Sequence, residues 1–367
     1  MEANWEDFLG RFILRYPGLK ALALERAWQE LKVGCALSAR SILERFAYLC
    51  SGEAASVGSV TFGPESLKIM CLVGVPSSHS LSPFLHNRFN ESLGAECGLY
   101  LTSGIANAAD LEAVLDEWSD LPLLGLNVTH PFKEIAFRYL LEHGQLTEAA
   151  RAIGAVNTVY WHNGSLFGDN TDWRGWLLSW QLKIGEPLGG RQAVIFGAGG
   201  AARAVVYALL NSGIRGIIVV NSPARAAALL EHFKSWQGTP EALKLGAQSV
   251  PVTTVVSWPH PPQEGCIYIQ ATPCGQVPNI KLTPYAWPKN TVACRFVACD
   301  LVYNPPCTEF LRLAAACGAY KLADGLAMLV AQAYIARQRF LGLDEKDELG
   351  KIDILIAQLE QNFLACL

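Results

Sequence analysis

A run of glycine and alanine residues follows a short apolar segment near the middle of the chain. Residues 193–196 are apolar, and the next six match the pattern G-x-G-x-x-G/A: Gly197, Ala198, Gly199, Gly200, Ala201 and Ala202. Such a turn joins a strand to a helix, and its second glycine lets a pyrophosphate approach the backbone. Residues 201–210 and 216–221 supply the expected helix and second strand, so the pattern favours a dinucleotide site over a turn that only packs a helix tightly.

Hydroxyl side chains follow another apolar strand, predicted over residues 68–75. Ser82 precedes Pro83, which is typical of a helix N-cap followed by proline at the first helical position, and this gives Ser82 a structural role. Ser80 has no such role. Two hydroxyls and the N–H groups of a helix start, placed beyond the carboxyl end of a strand, predict a binding site for a carboxylate.

Three polar residues lie at the end of a strand predicted over residues 121–128. Asn127, Thr129 and Lys133 come together here because Pro131 stops the strand and a helix begins near residue 132. A lysine in the first turn of a helix opposes the helix dipole. A functional role for Lys133 therefore competes with that of an ordinary solvated lysine.

Asp172 and Asn157 are the remaining polar candidates. Asp172 lies where a helix starts after a hairpin that is predicted from its Asn163-Gly164 turn. Its carboxylate is either a helix cap or dipole partner, or a group with a chemical role. Asn157 has apolar neighbours, so its amide needs a polar partner.

Composition narrows the class of protein. With 367 residues, of which 51% are hydrophobic and 17% charged, the chain is long enough for two cored domains and too apolar to be disordered. A net charge of -4 with scattered basic residues argues against nucleic acid. The chain has no apolar run of about 18 residues and no basic start, so no membrane span or secretory signal is expected and the predicted location is the cytoplasm. The 11 cysteines include no C-x-x-C pair, so no metal is expected and the thiols should be reduced.

Predicted strands and helices alternate from residue 67 onward, which indicates an α/β fold with a parallel layer. Further strands are predicted at residues 243–256, 265–272 and 298–303, and further helices at 309–317, from 324, and at 351–364. Residues 1–66 carry apolar residues at helical spacing, with a short strand within 52–63. They predict an N-terminal helical extension that serves packing or oligomerisation.

Taken in order, the motifs resemble those of the shikimate dehydrogenase family, over residues 67–342. The matching motifs are HSLSP (79–83), GLNVTHPFKE (125–134), GAVNT (154–158), NTD (170–172), GAGGAARA (197–204), ATPCG (271–275), DLVYNP (300–305) and DGLAMLVAQA (324–333).

The resemblance implies an NAD(P)-dependent enzyme that reversibly converts 3-dehydroshikimate to shikimate, with hydride passing between the ring C3 and the nicotinamide C4. It implies that Lys133 and Asp172 form the proton-transfer pair and that seven residues bind the substrate: Ser80, Ser82, Asn127, Thr129, Asn157, Tyr303 and Gln332. The cofactor would contact Gly197, Ala198, Gly199, Gly200, Ala201, Asn221, Ser222, Arg225 and Gly325.

The implied fold has a substrate-binding α/β domain at residues 67–172, completed by helices within 323–367, and a Rossmann-type dinucleotide-binding domain at 173–322. Residues 1–66 precede this unit. The expected partner is the small-molecule substrate alone, and the expected assembly is a monomer or a homodimer.

The chain departs from the family at the end of the second nucleotide strand. Where the family has Asn-Arg-Thr, with an arginine that meets the 2′-phosphate of NADP, the chain has Asn221, Ser222 and Pro223. An acidic residue that would favour NAD is also missing, and Arg225 is either a substitute for the arginine or a solvated residue. NADP is the expected cofactor, with NAD as the alternative.

Two other functions stay open. An NAD-linked quinate or quinate/shikimate dehydrogenase agrees with the missing arginine, although Ser80 and Ser82 have the form expected for shikimate. A binding protein that has lost turnover is the third possibility, and the presence of Lys133, Asp172 and the glycine turn argues against it.

Overall fold

The computed structural model describes residues 55–57, 60–62, 69–74, 80–82, 85–86, 99–103, 107–116, 118, 123–245, 247, 250–288, 294–343, 350 and 352–357. These residues divide into two compact units. The first contains the described residues up to 147 together with 156–169 and 336–343, and the second contains 148–155, 170–335 and those after 344.

The first unit is built on a mixed sheet. Its strands are β3 (Ile69–Val73), β4 (Leu99–Ser103), β5 (Leu123–Val128), β6 (Gln145–Leu146), β7 (Thr158–His162) and β8 (Ser165–Asp169), after a small antiparallel pair of β1 (Ala55–Val57) and β2 (Val60–Phe62). The sheet order is β4-β3-β5-β7-β8-β6. The helices α1 (Ala108–Asp116) and α2 (Lys133–His143) belong to the same unit.

A tight hairpin is the reason that this sheet is mixed and not parallel throughout. β3 runs parallel to β4 and β5, whereas β7 is antiparallel to β5 and to β8. The turn between β7 and β8 has φ angles of 49° at Asn163 and 77° at Gly164, which is the type I′ geometry that the Asn-Gly pair predicts. The hairpin is confirmed, and so is the parallel layer apart from β7, because β8 turns back to the direction of β5 and pairs with β6 in parallel.

The second unit has a parallel sheet with helices. Its strands are β9 (Gln192–Phe196), β10 (Gly216–Val220), β11 (Val252–Val255), β12 (Ile267–Gln270), β13 (Phe296–Asp300) and β14 (Ala319–Ala323), in the order β11-β10-β9-β12-β13-β14. This is the 3-2-1-4-5-6 order of the dinucleotide-binding fold. Its helices are α3 (Glu148–Ile153), α4 (Asp172–Lys183), α5 (Gly200–Leu210), α6 (Pro223–Gln237), α7 (Pro240–Lys244), α8 (Glu309–Ala316) and the first part of α9 (Leu326–Leu341).

The core of the second unit is centred on α5 and the middle strands. Residues 202–210 of α5 are all buried, and the apolar side chains among them pack with Ile195, Val219 and Ile269 of the sheet. Small residues such as Ala202 let this helix lie close to β9. A helix buried on all sides explains why its sequence is apolar without a polar face.

The structure differs from the sequence-based expectation at two elements, one predicted strand and one strand that was not predicted. The strand predicted at residues 243–256 is wrong at its start, where residues 243 and 244 belong to α7, and β11 lies near its end. Thr239 caps α7, and its side chain accepts a hydrogen bond from the Ala242 N–H at 3.3 Å. Pro240 at the first helical position supports the same helix. β14 was not predicted; it is a five-residue edge strand with only one fully buried residue.

The predicted domain boundaries stay a prediction. α3 and residues 326–335 of α9 belong to the second unit, and residues 336–341 of α9 belong to the first. The helices predicted for residues 1–49 lie outside the described residues. None of the helices in the described part of the chain has the length and hydrophobicity that crossing a bilayer requires.

Candidate functional site

The glycine turn of the second unit has the backbone shape that its sequence predicts. Gly197 follows β9 with φ at +126°, and a Cβ at this position would lie 2.6 Å from the Ala271 carbonyl oxygen. No other residue type fits such a conformation and approach without strain. The chain then extends through Gly199, which is the N-cap of α5.

The start of α5 fits the pyrophosphate of a dinucleotide. A Cβ placed on Gly199 would meet nothing within 4 Å, so the backbone here borders open space. No side chain caps the helix at Gly199. The first-turn N–H groups, at Gly200 and Ala201, have no intrahelical acceptor and lie at the positive end of the helix dipole. Backbone groups of Gly197, Ala198 and these residues are therefore the ones that would hold a phosphate.

The end of β10 carries no basic side chain at position 222. Asn221 Oδ1 accepts hydrogen bonds from the Ser222 N–H at 2.7 Å and from the Ser222 hydroxyl at 3.2 Å. Ser222 is the N-cap of α6, and both Ser222 and Arg225 are exposed. The exposed guanidinium of Arg225 is thus in the first turn of α6, three residues after the position of the family's arginine.

The two serines after β3 exchange the roles that their sequence predicts. Ser82 is the first helical residue, because the Leu85 N–H donates to the Leu81 carbonyl oxygen at 2.9 Å and makes Leu81 the residue before the helix. The Ser82 N–H donates to Ser80 Oγ at 3.2 Å. The N-cap role predicted for Ser82 is therefore wrong; the side chain that accepts from the helix start is that of Ser80.

Asn127 is buried at the end of β5 and is held by hydrogen bonds on both sides. Its Oδ1 accepts from the Tyr100 hydroxyl at 2.8 Å, and its Nδ2 donates to the Asn157 carbonyl oxygen at 3.2 Å and to Thr158 Oγ1 at 3.3 Å. Asn157 is also buried, and its Oδ1 accepts from the Thr158 hydroxyl at 2.9 Å. The partner that the Asn157 amide requires is thus Thr158.

Thr129 and Lys133 follow on the same segment. The Thr129 N–H donates to the Val73 carbonyl oxygen at 2.8 Å, which fixes the end of β5 against β3. Lys133 is the first residue of α2, whose N-cap is Phe132 without a side-chain cap, and the Lys133 carbonyl oxygen accepts from the Val156 N–H at 2.9 Å. Both side chains are half-buried. Lys133 has the backbone position in the first helical turn that the sequence predicts.

Asp172 is buried and is the first residue of α4, one position inside the helix from its N-cap Thr171. Its N–H donates to Asn170 Oδ1 at 3.1 Å, and Asn170 Nδ2 donates to the Ala155 carbonyl oxygen at 2.9 Å. The helix-cap interpretation of Asp172 is wrong, since the side chain that accepts at this helix start belongs to Asn170. A dipole role or a chemical role for the carboxylate both agree with its place in the first turn.

The last three predicted residues lie in the second unit. A Cβ on Gly325 would lie 2.2 Å from the Leu301 carbonyl oxygen, and its N–H donates to the Val302 carbonyl oxygen at 3.1 Å, so this position requires glycine. Tyr303 is half-buried directly after Val302. Gln332 lies on α9, and its Nε2 donates to the Leu329 carbonyl oxygen at 2.9 Å.

Three buried polar residues were missed by the sequence analysis. Tyr100 and Thr158 contact Asn127, as described above. Asp300, at the end of β13, accepts from the Thr308 hydroxyl at 2.6 Å and from the Val302 N–H at 2.9 Å. Burial raises the pKa of the Asp300 carboxyl from 3.8 to about 7, although these hydrogen bonds lower it. A polar residue at the carboxyl end of a buried strand was the signal that could have identified Asp300.

No group of three or more His, Cys, Asp or Glu side chains in the described part of the chain is arranged to hold a metal ion. The seven cysteines that the structure describes are free thiols. The candidate residues described above carry hydroxyls, amides, an amine, a guanidinium, carboxylates and helix N–H groups.

Comparison with known proteins agrees with this chemistry. Residues 72–159 match the family model described as the shikimate dehydrogenase substrate binding domain. The chain is 36% identical over 273 residues to the shikimate dehydrogenase (NADP(+)) of Caldanaerobacter subterraneus subsp. tengcongensis, an alignment that spans 74% of this chain and 91% of the relative.

Solved structures have the same fold. The shikimate 5-dehydrogenase of Thermus thermophilus, in complex with NADP(H) and shikimate, is 32% identical with a TM-score of 0.59, and the match covers 79% of this chain and 99% of that one. The ligand-free 5-ketofructose reductase of Gluconobacter sp. strain CHM43 is 27% identical with a TM-score of 0.62, over 81% and 98% of the two chains. The chain belongs to the shikimate dehydrogenase family and is an NAD(P)-dependent dehydrogenase.

Proposed function

We propose that the protein is a shikimate dehydrogenase, which reduces 3-dehydroshikimate to shikimate reversibly with NADP as the cofactor. The observation that carries this proposal is that one chain combines two features. The first is a glycine turn that fits a pyrophosphate. The second is a polar set in the first unit that suits a hydroxylated ring acid, and its members are Ser80, Ser82, Asn127, Thr129 and Asn157. The NADP-linked relative at 36% identity supports the same reaction.

The polar set provides donors and acceptors of the kind that this substrate needs. Ser80 and Ser82 lie at a helix start, where hydroxyls and N–H groups favour a carboxylate. Thr129, Asn127 and Asn157 lie at the ends of neighbouring strands and suit ring hydroxyls. Tyr303 and Gln332 are the other two residues that we propose to contact the substrate.

Lys133 and Asp172 are the proposed proton-transfer pair. When bound, the nicotinamide accepts or supplies the hydride at its C4. Loss of hydride from the ring C3 requires that the C3 hydroxyl loses its proton, and a lysine amine near a carboxylate can accept that proton and return it in the reverse reaction. Asp172 is buried in the first turn of α4, and an ionised carboxylate beside an amine would stabilise the positive form of that amine.

The cofactor proposal rests on charge at the end of β10. No acidic residue lies between Val220 and Arg225 to repel a 2′-phosphate, and Arg225 is the first basic residue after the strand. NADP is therefore the proposed cofactor, bound through Gly197–Ala201, Asn221, Ser222, Arg225 and Gly325, and its advantage over NAD is proposed to be smaller than in relatives with the arginine.

Ser222 also supports a second candidate function, that of an NAD-linked quinate/shikimate dehydrogenase. Without an arginine at this position the phosphate of NADP loses its bidentate partner. The 5-ketofructose reductase among the similar structures adds a third substrate to be tried.

Initial rates with shikimate, quinate and 5-ketofructose, each with the NADP and NAD forms of the cofactor in the appropriate direction, test the proposal. We expect the highest kcat/KM with shikimate and NADP. A higher value with quinate and NAD, or with 5-ketofructose, would assign the protein to that activity, and no turnover in any combination would favour a binding protein.

A further inference from the structure

The hydroxyl of Tyr100 contacts one of the proposed substrate residues, Asn127. Tyr100 is fully buried in β4, and its hydroxyl donates to Asn127 Oδ1 at 2.8 Å. Burial raises the pKa of Tyr100, and the Ser82 side chain opposes that rise. The phenol thus lies in β4 with its proton directed to the end of β5.

The ring that carries this hydroxyl is fixed by its surroundings. The imidazole of His86 stacks on Tyr100 with the ring centroids 4.0 Å apart and the planes 8° from parallel. Tyr100 also belongs to a buried apolar cluster that includes Met70, Leu72 and Phe340. A side chain packed on both faces has little rotameric freedom, so the position of its hydroxyl is set by the core.

The orientation of the Asn127 amide follows from this hydroxyl. A phenol donor must meet the amide oxygen, so the NH₂ group is turned the other way, towards the Asn157 carbonyl oxygen at 3.2 Å and Thr158 Oγ1 at 3.3 Å. The Asn157 carbonyl oxygen can only accept a hydrogen bond, so it also requires the NH₂ group on its side. Tyr100 and Asn157 therefore together fix which side of Asn127 carries the acceptor, and removal of the phenol takes away the donor that holds the amide oxygen.

We propose that Tyr100 is a positioning residue for the substrate site: it holds the Asn127 amide in the orientation that binds a hydroxylated ring. This inference rests on the proposed function and adds a residue to it. Tyr100 touches neither reacting atom, so its effect is on substrate binding and not on the hydride or proton transfer.

The test is Tyr100→Phe, which keeps the ring and its stacking on His86 and removes only the hydroxyl. We expect the KM for shikimate to rise about tenfold, since a buried hydrogen-bonding hydroxyl is lost, with kcat and the KM for NADP within about twofold of wild type. Tyr268→Phe is the matched control: Tyr268 is also fully buried and accepts from the Gln263 N–H at 3.0 Å, but it lies in the second unit, and the shikimate KM should not change.

A second variant removes a hydrogen-bond partner of the Asn127 NH₂ group. Thr158→Val removes the hydroxyl that accepts from Asn127 Nδ2 and donates to Asn157 Oδ1, and it should also raise the shikimate KM selectively, whether or not Tyr100→Phe folds. An unchanged shikimate KM in either variant, or an equal loss in the Tyr268 control, would overturn the inference and leave the proposed function intact. A wild-type protein without turnover of shikimate would instead overturn the proposed function.

Discussion

The two units hold their candidate residues by different means. In the second unit the glycine turn is made by the backbone: Gly197 has the left-handed φ and Gly199 leaves space at the start of α5. In the first unit the polar set is made by side chains, with Asn127 held between Tyr100 and Thr158.

This difference decides which residue types each site tolerates. A backbone site needs only small residues at fixed spacing, and substitution there acts through steric hindrance. A site made of side chains needs every partner in place, because a buried donor or acceptor that loses its partner costs about 1–3 kcal/mol. We therefore expect single changes in the glycine turn to act on stability and cofactor binding, and single changes among the polar side chains of the first unit to act on substrate binding and turnover.

Lys133→Ala should have the largest effect. If the amine takes part in proton transfer, kcat and kcat/KM should both fall by about 10²–10⁴-fold, with the KM for shikimate nearly unchanged. Steady-state kinetics in both directions measure this. Lys234→Ala, which removes an exposed lysine of α6, is the control and should keep full activity. A raised KM with normal kcat would make Lys133 a binding residue.

The second unit also contains a buried side-chain network around Asp300, and the pH dependence of stability tests it. Asp300 keeps its proton in the folded chain up to a pKa of about 7, whereas the unfolded carboxyl loses it near 3.8. The unfolded state thus binds fewer protons in this range, so the contribution of Asp300 to the free energy of unfolding falls as the pH rises from about 4 to 7, by about 2–4 kcal/mol in total.

Asp300→Asn should remove this part of the slope in urea unfolding at several pH values. Asp353→Asn, at an exposed position, should leave the slope unchanged. Equal slopes for wild type and Asp300→Asn would show that the carboxyl is ionised in the folded state.

Gly197→Ala and Gly199→Ala form a matched pair within the glycine turn. The first places a Cβ 2.6 Å from a backbone oxygen at a φ of +126°, and it should lower the free energy of unfolding by about 1–3 kcal/mol. The second meets no protein atom within 4 Å, so its stability without cofactor should be that of wild type while the KM for NADP rises. Thermal melts with and without NADP distinguish the two, and a normal NADP KM in Gly199→Ala would contradict the phosphate assignment.

Ser222→Arg should have the smallest effect of the series. A guanidinium at this position can pair with the 2′-phosphate, so the preference for NADP over NAD should increase by about one to two powers of ten, mainly through a lower KM for NADP. Ser235→Arg places the same charge elsewhere on α6 and should leave the preference unchanged. A wild-type enzyme that strongly prefers NADP and does not respond to Arg225→Ala would contradict this account.

The sequence predicted the backbone features well because their signals are local. The glycine turn, the Asn163-Gly164 hairpin and the start of α2 after Pro131 each depend on a few adjacent residues. The wrong strand at residues 243–256 had a local signal too, the Thr239-Pro240 helix start, which the apolar run obscured.

The side-chain network could not be predicted in the same way. Tyr100 lies on an apolar strand, where a tyrosine is usually a core residue, and its partner Asn127 is 27 residues away. The helix after β3 begins one residue earlier than Pro83 suggests, and this moves the capping role from Ser82 to Ser80. Such contacts depend on how strands align in the sheet, which the spacing of residues does not determine.

The most direct test of the proposed reaction follows one atom. Shikimate that carries deuterium at C3 is oxidised by the protein with NADP, and the reduced cofactor is analysed by mass spectrometry and NMR. We expect the deuterium to appear at C4 of the nicotinamide, and we expect the Lys133→Ala variant to show the same transfer at a much lower rate. Oxidation without deuterium in the cofactor, or no oxidation of shikimate at all, would contradict the proposed reaction.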